Sequence, residues 1–311
     1  MTKSVDIDLR KFLFVVFGLL FLVLLVGPRA FASRARLLVY GSGDPTNIVL
    51  DPSGNGGSYY YDSPYSVVYN PALLSNAQNE FIVEKSNEPG TAAQGAMFRD
   101  FGNLKAGFIF GRKGESVNYT SSNQIRPVEG FISAGQGNFR GGLGVSWFER
   151  HANNQPDQNM KLKVGAMIGA SESISFEPFA HYMLIGKEKS NGADPKHKDF
   201  AFGTRLVFSE KVKVFTGYRK YKVKNDVNAR SRDAYGLGVS HQVAIDDKTS
   251  FVYALGFWRQ TNNDHNILPI NMAAETKVLS WLSLRGGLEY HFHNVQNETS
   301  RGDTTTGRIG L

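Results

Sequence analysis

Beyond about residue 80 the chain alternates apolar and polar residues, segment after segment, to its end. Leu104, Ala106, Phe108 and Phe110 share one parity, as do Phe139, Leu143, Val145 and Trp147, and then Leu162, Val164, Ala166 and Ile168. The pattern continues through Ile174, Phe176, Ala180, Tyr182 and Leu184, through Phe200, Phe202, Leu206 and Phe208, and through Val212, Val214 and Tyr218. Tyr235, Leu237, Val239 and Val243 follow, then Phe251, Tyr253, Leu255 and Phe257, then Leu268, Ile270, Met272, Ala274 and Val278, and last Leu282, Leu284, Leu288, Tyr290 and Phe292. A period of two belongs to β-strands with one oily face and one small or polar face. With 80–86 and 92–100 counted first and 304–311 last, the pattern predicts about fourteen strands, an even number that returns the chain to the side it started from.

The connections alternate in length. Short turns are predicted near 101–103, 135–138, 171–173, 209–211, 246–248 and 280–281, and longer loops at 113–125, 150–159, 187–198, 225–231, 261–266 and 295–303. Outer-membrane barrels have short periplasmic turns and longer outer loops. Aromatic residues gather at both strand ends: Phe101, Phe139, Phe208, Phe251 and Trp281 by the turns, and Trp147, Tyr182, Tyr218, Tyr235, Phe257, Tyr290 and Phe292 toward the loops. Two such girdles suit two lipid headgroup levels. The expected fold is all-β, a transmembrane antiparallel β-barrel of about 14 strands with an N-terminal plug. The last segment, 304–311, ends on Leu311 where such barrels usually close on an aromatic, and it predicts a final strand that is short or truncated.

A mean hydropathy of -0.28 suggests a soluble protein. For a barrel that average misleads, because only every second side chain meets lipid. The chain has no Cys, which excludes a disulfide framework, a thiolate metal site and a lipid-bearing N-terminal cysteine. Residues 1–32 combine Lys3, Arg10 and Lys11 with an apolar run over 12–26 and the triplet Ala30-Phe31-Ala32, the layout of a secretory signal peptide cleaved near Ala32. The formal charge is +7; four basic and two acidic leader residues leave +5 on the remainder, which is no nucleic-acid signature.

Residues 33–79 are rich in turn formers, including Gly-Ser-Gly-Asp-Pro at 41–45 and Asp-Pro-Ser-Gly-Asn-Gly-Gly at 51–57, with room for one short strand near 37–40. So small a segment without disulfides must stay disordered or lean on something larger, and the lumen of the barrel at 80–311 offers that support. Its last part reads Ser66-Val67-Val68-Tyr69-Asn70-Pro71-Ala72-Leu73-Leu74. Placed just before the first strand of a secreted barrel, this stretch resembles the N-terminal signature of the FadL-type long-chain fatty acid transporters of the outer membrane. The likeness covers about a dozen residues and is architectural beyond them; the family usually has Gly after Asn-Pro-Ala, where this chain has Leu73. It implies a hatch folded inside the barrel, with Tyr69, Asn70, Pro71, Ala72 and Leu73 as the substrate or gating element. Relatives that share the motif include aromatic-hydrocarbon channels and outer-membrane assembly partners. Without the resemblance, Asn before Pro reads as a tight turn leading into a strand.

Positions of the opposite parity should face inward. They include the basic residues Lys105, Arg140, Lys161, Lys163, Arg205, Lys213, Arg219, Lys277 and Arg285, the acids Glu129, Glu177, Glu275 and Glu289, and many Gly, Ala and Ser. A basic interior attracts anions and can pair with a carboxylate; the same charges can equally pair with the acids and the hatch. Glu289, His291 and His293 share a face, yet stand too far apart along a strand to suit one metal ion. Arg301-Gly302-Asp303 reads as an exposed turn, and the sequons at Asn118 and Asn297 carry no weight in a bacterial barrel. There is no G-x-S-x-G elbow, no Walker or Rossmann glycine pattern and no H-E-x-x-H, so no enzymatic activity, cofactor or metal is expected.

Lys187, Lys189, Lys196 and Lys198, with Arg219, Lys220, Lys222 and Lys224, cluster at the predicted outer end, where lipopolysaccharide phosphates, incoming anions or solvent would meet them. The expected location is the outer membrane of a Gram-negative envelope. The expected partners are outer-membrane lipid and lipopolysaccharide, a hydrophobic small-molecule ligand and the barrel-assembly machinery, with no nucleic acid. The leading expectation is uptake of hydrophobic or amphipathic small molecules such as long-chain fatty acids. The rivals are a water-filled porin with anion preference and a non-transporting structural or assembly barrel.

Overall fold

The computed structural model describes residues 29–30, 64–76, 79–84, 94–111, 127–152, 155–171, 173–187, 196–209, 211–224, 231–260, 265–279, 282–295 and 304–310. A two-residue segment, β1 (Arg29–Ala30), pairs parallel with Glu80 and Phe81 of the strand that follows it. Fourteen antiparallel strands follow: β2 (Glu80–Glu84), β3 (Gln94–Asp100), β4 (Leu104–Phe110), β5 (Val128–Gln136), β6 (Phe139–Ala152), β7 (Gln155–Ser171) and β8 (Ile174–Lys187), then β9 (Lys196–Phe208), β10 (Val212–Lys224), β11 (Ser231–Ala244), β12 (Thr249–Gln260), β13 (His265–Leu279), β14 (Leu282–Val295) and β15 (Thr304–Gly310). Each pairs with its chain neighbours in one sheet. The even-numbered strand count and the meander order agree with the alternation in the sequence. Among the described residues the ladder runs from β2 to β15 with no pairing between those two strands, so the wall curls without a hydrogen-bonded seam.

The strands form where the period-two pattern lies, and their faces are inverted relative to a soluble protein. Outward positions are apolar and exposed, among them Phe139, Leu143, Tyr182, Leu184, Leu237 and Leu255. Inward positions hold buried charge: Glu129 is 0 % exposed and Arg205 1 %. A continuous oily exterior around a polar interior is stable only against lipid. Among the described residues no helix is long and apolar enough to cross a membrane, and the strands do the crossing.

Two 3-10 turns, Pro64–Val68 and Pro71–Asn76, precede β2 and lie inside the curl. Val67, Val68 and Leu74 pack on Ile82, Ala96, Phe98, Ile109 and Phe131 from β2 to β5. The next residue, Tyr69, packs instead with Phe179, Ala201, Phe215, Ala254, Trp258 and Ile267 from β8 to β13. Adjacent residues of one short segment therefore touch both sides of the wall, which is how an inner plug holds a curled sheet together.

Several expectations need correction. The predicted loop at 150–159 is mostly strand, since β6 and β7 stay paired out to Ala152↔Gln155. Backbone pairing does not need apolar alternation, so it runs past the last lipid-facing residue unannounced. The turn near 135–138 is just Gly137 and Asn138, with Gly137 at φ 61°. Ala106 and Phe108 are buried rather than lipid-exposed: Phe108 packs with Met97, Phe81, Phe110 and Val128, and the Phe110 ring lies across Gly95, where a Cβ would meet it at 2.3 Å. Lys277 is exposed at the short-turn rim, where the β13–β14 register shifts. The strand near 37–40 and the leader apart from Arg29–Ala30 lie outside the described residues, as do Trp281 and the side chains of Glu289 and His293.

Candidate functional site: the plug and its seat on the inner wall

Asn70 stands between the two 3-10 turns and is fully buried. Pro71 opens the second turn, where its fixed φ suits the start of a helix and its missing N–H costs nothing. The Asn70 Oδ1 accepts the Ala72 N–H at 3.0 Å, a local bond that an aspartate or asparagine side chain makes readily. Its Nδ2 donates outward, to the backbone oxygen of Ala166 at 3.0 Å and to that of Pro178 at 3.4 Å.

Those two carbonyls mark a gap in the wall. The β7–β8 ladder lapses between the pairs Gly165↔Phe179 and Ile168↔Phe176, and Pro178, in the lapse, has no N–H to donate. The plug supplies the donor that the strand lacks. A proline in a strand weakens pairing, and a buried carbonyl left without a donor costs about 1–3 kcal/mol, so Asn70 completes the wall as well as resting on it.

Three wall side chains hold three carbonyls of the plug at every third residue. His181 Nε2 lies 2.6 Å from the Tyr69 oxygen and must carry the proton there, because the carbonyl only accepts. Ser133 Oγ donates to Ala72 O at 3.4 Å, and Arg140 reaches Ser75 O at 3.4 Å. The wall makes room by omission. A Cβ on Gly165 would sit 1.9 Å from Asn70 Oδ1, one on Gly142 2.3 Å from Ala72 N, and one on Gly144 3.3 Å from Pro71 Cγ. Gly142 and Gly165 are direct cross-strand partners, so the seat is a window of missing side chains through β6 and β7.

The five residues expected to form the hatch, Tyr69, Asn70, Pro71, Ala72 and Leu73, are all buried. Of the expected inward bases, Lys161, Lys163, Arg205, Lys213 and Arg219 are buried while Lys277 is exposed, and several of them are tied up in ion pairs. Lys163 meets Glu129 at 2.6 Å, Arg205 meets Glu177 at 2.6 Å, and Arg285 meets Glu275 at 2.6 Å. Arg219 binds Asp199 bidentately, Nε to Oδ1 and Nη2 to Oδ2 at 2.7 Å each, while Lys161 reaches the same carboxylate at 2.6 Å. Lys105 pairs with Asp100 at 3.0 Å. Lys213 is buried on the same face. One inner row runs Phe98, Gly107, Phe131, Gly144, Lys163, His181, Ala201, Arg219 and Ala234 in direct register, so charges and apolar groups share a belt.

Asp199, His181, Ser133, Pro178 and the glycine window were not singled out from the sequence. Parity with Phe200 would have placed Asp199 inside, and a proline in the middle of a strand pattern was a signal in its own right. At the short-turn end a cavity of about 660 Å³ is lined by residues including Asn76, Arg140, Met167, Glu177, Arg205 and Gln242. Among the described residues no cluster of His, Asp and Glu could hold a metal ion.

No protein-family profile matches the sequence, and no curated protein matches it. Solved structures do resemble the fold. A Pseudomonas aeruginosa FadL homologue aligns with 88% of this chain and 96% of its own at 10% identity and a TM-score of 0.46. The CymD monoaromatic hydrocarbon channel aligns with 83% and 94% at 10% identity and 0.46, and an anion-selective porin from Comamonas acidovorans with 70% and 84% at 12% and 0.41.

Proposed function

We propose that the protein is an outer-membrane transporter that passes hydrophobic or amphipathic small molecules, long-chain fatty acids among them, through a lumen gated by the 64–76 plug. The observation that carries this reading is the apolar nest around Tyr69. In an interior that also carries paired charges, Phe179, Phe215, Trp258 and Ile267, from four strands, form one apolar cluster with this plug side chain. A ligand with an aromatic or alkyl segment competes for that nest, and its entry displaces Tyr69 and, one residue on, the Asn70 bonds to the wall.

The anion-porin reading draws on the inward bases. Lys161, Lys163, Arg205, Arg219 and Arg285 each lie within 2.7 Å of a carboxylate, which cancels most of the field they would offer a passing anion. The test is single-channel conductance in planar bilayers for the whole secreted chain and for a form lacking 33–74. A silent parent and a conducting deletion support a plugged lumen; open ohmic steps from the parent mean a porin instead.

A further inference from the structure

Six lysines form a grid on the outer face of the wall. Lys187 of β8 lies directly across from Lys196 of β9, and Lys196 in turn from Lys224 of β10. Lys198 lies across from Lys222, and Lys220 across from Phe200. All six side chains are exposed; those of β9 and β10 share the parity of the lipid-facing Phe200, Phe202 and Tyr218, and a register shift between Tyr182 and Lys187 sets Lys187 opposite Lys196. Among the described carboxylates only Asp233 approaches them, 3.7 Å from Lys220. Like charges directly opposite on one face of a sheet repel. Three such lysine oppositions in one patch cost stability in isolation and become favourable once an anion sits between the strands.

The height of the grid says which anion. A crossing strand takes about 9–11 residues. Counted from the short-turn ends at Ile174, Phe208 and Val212, the crossing is used up near Met183, Asp199 and Tyr221. Lys187, Lys196, Lys198, Lys222 and Lys224 lie beyond it, on the long-loop side. Immediately below them are the rings of Phe200, Phe202 and Tyr218, with centroids 5.7 and 5.3 Å apart in succession, the aromatic belt of the headgroup level. Same-face neighbours along a strand are about 7 Å apart and adjacent strands about 5 Å, a spacing that lets one phosphate touch several ammonium groups.

We infer that this grid is a binding site for the phosphate groups of a phosphorylated glycolipid of the outer leaflet, lipopolysaccharide, held with its acyl chains along the apolar wall below. The site lies on the exterior and is separate from the gated lumen.

The test titrates bisphosphorylated lipid A and its dephosphorylated form into the detergent-solubilised full-length protein and counts bound lipid by native mass spectrometry. Each lysine near a charged lipid surface contributes about fivefold in affinity, so the triple change Lys198→Gln, Lys222→Gln, Lys224→Gln should weaken binding of the phosphorylated lipid on the order of 100-fold. The control triple Lys211→Gln, Lys248→Gln, Lys277→Gln, at the opposite rim, should leave it unchanged. Unaltered protein should bind the dephosphorylated lipid as weakly as the first triple binds the intact one, and millimolar inorganic phosphate should fail to displace lipid. Equal binding of both lipids by unaltered protein, equal loss in the two triples, or displacement by inorganic phosphate overturns the assignment. The comparison of the two lipids needs no variant, so it stands even if a triple fails to fold.

Discussion

Asn70 faces Pro178 across the inner wall, its Nδ2 3.4 Å from the proline's carbonyl oxygen and 3.0 Å from that of Ala166 in the neighbouring strand. A side chain of the plug thereby repairs a ladder that a proline interrupts. Asn70→Ala removes both bonds and strands the Ala72 N–H as well, at a cost of about 1–3 kcal/mol per buried group left unmatched. In planar bilayers this variant should flicker open where the parent is silent. A closed trace identical to the parent's would show that the plug is held elsewhere.

The glycine window makes a steric prediction. Gly165→Ala puts a methyl on Asn70 Oδ1, and overpacking of this kind costs about 1–3 kcal/mol. Its effect on thermal unfolding of the folded barrel should exceed that of Gly286→Ala, whose Cβ would meet nothing within 4 Å. Equal midpoints for the two would mean that the plug does not press on β7.

Asp199 serves two buried cations, and removing a shared partner is worse than removing one client. Asp199→Asn removes the carboxylate charge that Lys161 and Arg219 share and should destabilise by about 3–5 kcal/mol, while Lys161→Met, which leaves the bidentate arginine pair intact, should cost clearly less. Urea unfolding of the two variants decides the order. The reverse ranking would place the stabilising partner of these cations elsewhere.

Trp258 reports on the nest. If a hydrophobic ligand takes the place of Tyr69, adding oleate should change tryptophan emission in the parent and leave Trp258→Phe unresponsive, although Trp147 and Trp281 remain. An undiminished change in Trp258→Phe would move the ligand away from this nest.

The turn between β11 and β12 carries a pH dependence. Asp246 accepts the backbone N–H groups of Lys248 and Thr249 at 2.7 and 2.6 Å, and these bonds hold its carboxyl below the usual carboxylate range. With the folded value depressed, the turn's contribution is complete above the unfolded carboxylate value of about 3.9 and disappears as pH falls through the lower, folded one. Amide-exchange protection at Lys248 and Thr249 should therefore hold at pH 5 and collapse toward pH 2. Protection that is flat across this range would count against the cap.

The sequence alone determined the wall. Period-two alternation sets which side chain of a strand meets lipid, so most strands and most of their faces were legible in it, while the extension of pairing through 150–159 and the burial of Ala106 and Phe108 were not. It also marked the 66–74 stretch, because Asn-Pro is a local turn signal whatever surrounds it. Tertiary structure alone decided what that stretch touches. The glycines at 142, 144 and 165 are unremarkable small residues until a plug is laid on them, and Pro178 is a mere interruption until Asn70 supplies its missing bond. The charge pairs follow the same logic. Parity put Lys163 and Glu129 on the same face, but their meeting across β6 depends on the register of three strands, which no local pattern encodes. Local periodicity fixes direction, whereas contact between side chains of different strands depends on the register of the whole curled wall and on the segment packed inside it.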